Sequence, residues 1–187
     1  KFLFLFTLST SVIFFMKISM KIFSTCLILL FSFTFAQNSD YNDFGENVKD
    51  TVIIEELEDL IKIFKEEKPL ILIGGISGAG KTTVGNALLT NLELDHSIGT
   101  GWIRQILTTQ LKKEYYPELF THSFRPITDI TPFENFIKGS NSIAPAIEAC
   151  LKRAKAEGTS LIIEGVYLMP GIIEDSLYDY FFMLESK

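Results

Sequence analysis

Eight consecutive residues, Gly75-Ile76-Ser77-Gly78-Ala79-Gly80-Lys81-Thr82, constrain this chain more than any other stretch. They fit the pattern G-x-x-x-x-G-K-[ST], and the apolar run Leu70-Ile71-Leu72-Ile73 stands directly before them. A continuous apolar run between Pro69 and Gly74 reads as a strand buried on both faces of a parallel sheet. Gly75, Gly78 and Gly80 free the backbone for turns that a Cβ resists, so successive main-chain N–H groups, those around Ser77 and Ala79 included, can converge on anionic oxygens. A helix starting at Lys81 adds its positive end to that cradle. The motif therefore predicts a phosphate site. In it Lys81 supplies a point charge to the β- and γ-phosphates, Thr82 offers its hydroxyl to Mg²⁺, and Thr83 reaches the α-phosphate. No N-K-x-D guanine-reading motif occurs, which favours ATP.

The remaining pattern alternates in type. Residues 160–163 and 180–184 repeat the buried-strand signature, while 81–92, 102–113 and 142–157 carry helical spacing. Ser142 reads as an N-cap, Pro145 falls in the first turn, and Gly158 follows the last. Strands separated by helices predict a three-layer, doubly wound parallel α/β sheet over 69–187. Ahead of it, Val48, Val52, Ile53, Leu57, Leu60, Ile61 and Phe64 recur at helical intervals, predicting an amphipathic helix over 48–68 that packs on the sheet. Residues 37–47 read as a polar linker.

From Phe2 to Ala36 the only charges are Lys17 and Lys21. Read from Met20, a basic start, an apolar run through Phe35 and small residues before Gln37 match a secretory signal, with cleavage after Ala36, or an anchor. The fold is thus expected to be preceded by an apolar N-terminal helix, through which alone the protein would meet a membrane. A nucleotide enzyme points instead to the cytoplasm. Net charge is −6 without a basic stripe, which argues against nucleic acid as a partner. Cys26 and Cys150 have no spacing for a disulfide framework or a metal, and Cys150 reads as a small buried hydrophobe.

Two further runs carry a resemblance. Ser97-Ile98-Gly99-Thr100-Gly101-Trp102-Ile103-Arg104 and Leu161-Ile162-Ile163-Glu164-Gly165-Val166-Tyr167-Leu168-Met169-Pro170-Gly171 look like 2-phosphoglycerate kinase, as do Thr121-His122-Ser123-Phe124 and the segment 147–158. The resemblance runs from about Leu70 to the end of the chain and implies a sheet of the P-loop kinase type. It further implies transfer of the ATP γ-phosphate to the hydroxyl of 2-phosphoglycerate, giving 2,3-bisphosphoglycerate. Arg104 suits bidentate grip of a carboxylate or phosphate, and Glu164, ending a buried strand, faces the ligand crevice as metal ligand or proton acceptor. Asp95 is the alternative carboxylate. His122, Ser123 and Arg125 fall in a loop-rich stretch long enough to cover a substrate. His96 and Trp102 stand in no constellation.

The chain departs from its kin in two places. Many P-loop small-molecule kinases carry an aspartate near the end of the second strand to orient the acceptor hydroxyl, where Thr100 and Gly101 stand here. They also continue past the strand at 180–184 into an arginine-bearing lid, so the resemblance implies a domain cut short. Two alternatives stay open: a kinase for another small metabolite, as in zeta-toxin-like proteins, and a non-catalytic nucleotide-binding module.

Overall fold

The computed structural model describes residues 3–8, 12–17, 62–121 and 130–184, the first two segments for their backbone alone. Four strands form the parallel centre: β3 (Leu70–Gly75), β4 (His96–Gly99), β5 (Leu161–Gly165) and β6 (Tyr180–Leu184). Two more, β1 (Leu3–Leu8) and β2 (Val12–Lys17), pair with each other and with β6 in antiparallel fashion. The spatial order is β1-β2-β6-β3-β5-β4, with β3 between β6 and β5.

The centre matches the expected parallel α/β sheet, and the alternation along β3, β5 and β6 shows why these three are buried on both faces. On one face Leu70, Leu72, Leu161, Ile163 and Phe181 join Ile143, Ile147 and Leu151 of helix α3 (Pro132–Glu157). On the other, Ile71, Ile73, Ile162, Tyr180 and Leu184 meet Val84, Leu88 and Leu89 of helix α1 (Lys81–Asn91). Helix α2 (Thr100–Gln110) contributes Ile103 to the first of these clusters. Neighbouring residues of β3, β5 and β6 thus serve opposite layers, whereas β4, at the edge of the sheet, leaves His96 and Ser97 exposed.

Three expectations are corrected. The apolar N-terminal helix is not what Leu3–Leu8 and Val12–Lys17 form: both are strands. Their residues, LFLFTL and VIFFMK, are rich in aromatic and β-branched side chains, and the otherwise open edge of β6 offers them a main-chain partner. The signal-like segment from Met20 to Ala36 lies outside the described residues, and no helix among the described residues is long and apolar enough to cross a membrane. Secondly, α3 starts ten residues before Ser142. Thr131 accepts from the Glu134 N–H and the Glu134 carboxylate accepts from the Thr131 N–H, a reciprocal cap ahead of Pro132 that outweighs Ser142, whose hydroxyl instead donates to the buried Glu118 carboxylate at 2.6 Å. Pro145 is accommodated inside the helix, and Gly158 closes it at φ 66°. Thirdly, α2 spans Thr100–Gln110 rather than 102–113. Of the amphipathic helix expected at 48–68, residues 62–67 are helical and Phe64 is buried against Tyr180, rings 5.7 Å apart; the rest lies outside the described residues.

Asp95 fastens the amino end of the sheet. Its carboxylate accepts from the Ser160 N–H (2.8 Å), the Ser160 hydroxyl (2.8 Å) and Lys68 Nζ (3.0 Å), and the Asp95 N–H donates to Ser160 Oγ (2.7 Å). The Ser160 bonds first, then Lys68, hold its pKa down from 3.8 to about 2. Because the folded group titrates below the unfolded one, its stabilisation is present above about pH 4 and disappears as pH falls toward 2. Asp95→Asn is therefore expected to lose about 1–3 kcal/mol in urea unfolding at pH 7. The gap to the parent protein should close as the pH is lowered through that window; a gap that stays constant would rule out this linkage.

Candidate functional site

The phosphate loop is built by the end of β3. At Gly74 a Cβ would stand 2.7 Å from the Leu168 carbonyl oxygen, and at Gly75, φ 143°, it would stand 2.4 Å from the Leu184 carbonyl oxygen. Both positions are glycine because neighbouring backbones already fill the space. Gly78 and Gly80 differ: nothing lies within 4 Å of a Cβ at either, but their φ values of 84° and 83° belong to the left-handed region. Conformation, not crowding, selects glycine there.

Lys81 opens α1 with its side chain buried, and Nζ donates to the Ile76 carbonyl at 2.6 Å, bracing the loop from within. Burial pulls its pKa below the usual ammonium value, while the charge of Glu164 acts in the opposite sense. One helical position on, Thr82 Oγ1 donates to Glu164 Oε1 at 3.1 Å. Glu164 is the fourth residue of β5, beside Gly99 of β4 in register. A Cβ at Gly99 would sit 3.1 Å from Glu164 Oε1, so that glycine clears room for the carboxylate.

These groups border one open cavity of about 580 Å³, lined by Ser77, Gly78, Gly80, Lys81, Thr82 and Thr83 on the nucleotide-loop side. Thr100, Gly101, Arg104, Glu164 and Tyr167 complete its far wall. The expected site residues Lys81, Thr82, Thr83, Glu164 and Arg104 are thus together. Gly75 and Ala79 stand outside this lining: Gly75 sits behind the loop, and Ala79 packs toward the core while its N–H donates to the Ile76 carbonyl (3.3 Å). Arg104 Nη1 donates to the Thr121 carbonyl at 2.9 Å, which leaves its remaining N–H groups for a ligand. His122, Ser123 and Arg125 lie outside the described residues. Asp95, at the amino end of β4, is at the opposite end of the sheet from the cavity and is engaged by Ser160 and Lys68. Cys150 is half-buried, and burial raises its thiol pKa, as expected of an inert packing residue.

Sequence reasoning missed Thr100 as a wall residue. It is buried, and a Cβ on Gly165 would lie 1.7 Å from its Oγ1, so its side chain occupies the space that glycine leaves. The signal was the Gly165 that follows Glu164, a small residue at the end of a buried strand. Tyr167, also in the wall, had no such signal.

No family model matches the chain. Curated proteins do: 2-phosphoglycerate kinase of Methanopyrus kandleri is 31% identical over 140 residues, 70% of this chain and 42% of that protein. The enzyme of the same name from Methanothermobacter thermautotrophicus is 27% identical over 175 residues, 78% of this chain and 57% of its own length. That of Pyrococcus furiosus is 32% identical over 112 residues, 56% of this chain and 37% of its own length. The chain is thus similar to 2-phosphoglycerate kinases over more than half of its length. It spans about two fifths to three fifths of the length of these relatives.

Thr100 and Gly165 give this wall a direct test. Gly165→Ala should destabilise the carboxyl end of β5 by about 1–3 kcal/mol through overpacking. Combining it with Thr100→Gly, which vacates the contested space, should recover part of that loss in thermal unfolding. Strict additivity of the two substitutions would contradict the contact.

Proposed function

We propose that this protein is an ATP-dependent phosphotransferase that moves the γ-phosphate of ATP to the hydroxyl of 2-phosphoglycerate, giving 2,3-bisphosphoglycerate. The observation that carries this reading is the single cavity in which the glycine loop, the buried Lys81, the Thr82–Glu164 pair and Arg104 meet at the carboxyl end of a parallel sheet. That similarity supplies the acceptor, since the relatives bear the name 2-phosphoglycerate kinase.

The main-chain amides of Ser77, Gly78 and Gly80 and the N-terminus of α1 receive the phosphate chain, and Lys81 Nζ, released from the Ile76 carbonyl, meets the β- and γ-oxygens. Thr82 Oγ1 and Glu164 Oε1 are adjacent hard oxygen donors, the small protein share expected where Mg²⁺ is also held by phosphates and water. Such an ion would neutralise charge between the β- and γ-phosphates. Arg104 lies across the cavity for the carboxylate or phosphate of the acceptor, with His122, Ser123 and Arg125 on the segment that follows its Thr121 contact. The acceptor hydroxyl attacks the γ-phosphorus, the bond to the bridging oxygen breaks, and ADP departs. Thr100 cannot act as a carboxylate base, but a loose phosphoryl transition state relies on positioning and charge more than on proton removal.

Purified protein incubated with Mg-ATP and a panel of phosphorylated acids, with products followed by mass spectrometry, tests this directly. Turnover should be selective for 2-phosphoglycerate; selective turnover of another metabolite would replace the acceptor, and no turnover with any acceptor would replace the activity. Glu164→Gln is expected to lower kcat about 100-fold or more, the scale of removing one transition-state charge partner. Saturation with ATP at 100 times Kd should stabilise the parent protein by about 2.7 kcal/mol, and Lys81→Ala should abolish that gain. Retention of the gain in Lys81→Ala would refute the phosphate cradle.

A further inference from the structure

Tyr167 is the wall residue whose chemistry is unaccounted for. The residue is 6% exposed, yet its hydroxyl has no hydrogen-bond partner among the described residues. Native proteins leave few buried hydroxyls in that condition, and such a group calls for a function or a ligand. The ring is held on two sides. It stacks on Phe136 of α3 with centroids 6.2 Å apart and planes 12° from parallel, and it presses on Gly139 so closely that a Cβ there would stand 2.5 Å from Tyr167 Cε1. A tyrosine whose ring is clamped has its hydroxyl position determined as well, because only the C–O–H torsion remains free. Tyr167 also borders the cavity shared by Lys81, Glu164 and Arg104, two residues past the end of β5, on the side away from the nucleotide loop.

We propose that Tyr167 is an acceptor-specificity residue: its phenolic hydroxyl donates a hydrogen bond to an anionic oxygen of the phosphorylated acid bound opposite the γ-phosphate. This rests on the kinase reading above for the identity of the acceptor. Ser140 on α3 is a second buried hydroxyl without a partner, but it does not border the cavity and is no part of the assignment. Gly139 acts as a positioning residue, since any larger side chain would push the ring off its seat.

Tyr167→Phe removes the hydroxyl and keeps the clamped ring. With the full-length protein, the KM for 2-phosphoglycerate should rise about 10- to 100-fold, the effect of losing one hydrogen bond to a charged group. The KM for ATP should stay within about twofold. The thermal midpoint should be unchanged or higher, because the hydroxyl satisfies nothing in the folded protein. An unchanged acceptor KM, or equal changes in both KM values, would overturn the assignment. Calorimetric titration of 2-phosphoglycerate into the nucleotide-loaded protein separates this from the kinase reading. If the parent protein binds the acid without turning it over, the activity falls, and the ratio of Kd values for parent and variant decides Tyr167. If the parent binds none, both fall together.

Discussion

The approach of three backbones at Gly74 and Gly75 is the contact on which the site depends. The end of β3 runs against the Leu168 carbonyl on one side and the Leu184 carbonyl on the other, at separations that no Cβ permits. That proximity lets β3 finish flush with β5 and β6, with Gly74 beside Gly165 and Gly75 beside Leu184 in register. Only from such an end can the chain turn at once into the loop and enter α1 with Lys81 pointing back beneath it. A side chain at either glycine would move the loop relative to Glu164, and the 3.1 Å contact between Thr82 and that carboxylate would be lost first.

The electrostatics follow from this packing. Lys81 is buried, so its charge is costly without a companion, and Glu164 supplies one from the neighbouring strand. Glycine at 99 is what allows a glutamate to lie there, because it leaves free the volume that the carboxylate occupies. The cavity is thereby prepared for phosphate before any arrives: cationic and amide groups on one wall, the carboxylate and a hydroxyl on the other. An anionic ligand would relieve the desolvated ammonium, and the difference in Lys81's environment between the two states is a source of affinity.

What could be read from the sequence was whatever local pattern decides. The β3 run, the loop glycines, Lys81, Thr82 and the terminal position of Glu164 each have a short-range signature, and the structure joins Lys81, Thr82, Thr83, Glu164 and Arg104 around one cavity. Three-dimensional competition decided the rest. The start of α3 was misread because Ser142 and Pro145 look like a beginning, whereas the reciprocal cap at Thr131 and Glu134 supplies stronger ends and Ser142 finds a buried carboxylate. The apolar N-terminus was read as helical because hydrophobicity alone does not tell a helix from a strand; the free edge of β6 does, and an edge is a property of the sheet. Tyr167 was invisible for a similar reason: a lone tyrosine has no pattern, and its importance arises from a missing partner, which only coordinates reveal.

Asp95 and Glu164 show why residue type underdetermines role. Both are carboxylates beside buried strands, and by sequence either could serve the cavity. Asp95 precedes its strand, where the amino ends of β4 and β5 come together, and there the nearest donors are the Ser160 amide and hydroxyl and Lys68. Its charge is consumed by the protein itself, which is why its pKa is held so low. Glu164 sits at the other end of β5, where strands stop, helices begin and N–H groups point outward without intramolecular partners. Its single side-chain hydrogen bond, from Thr82, is one that a metal ion could replace. The polarity of a parallel sheet assigns structure to one carboxylate and chemistry to the other.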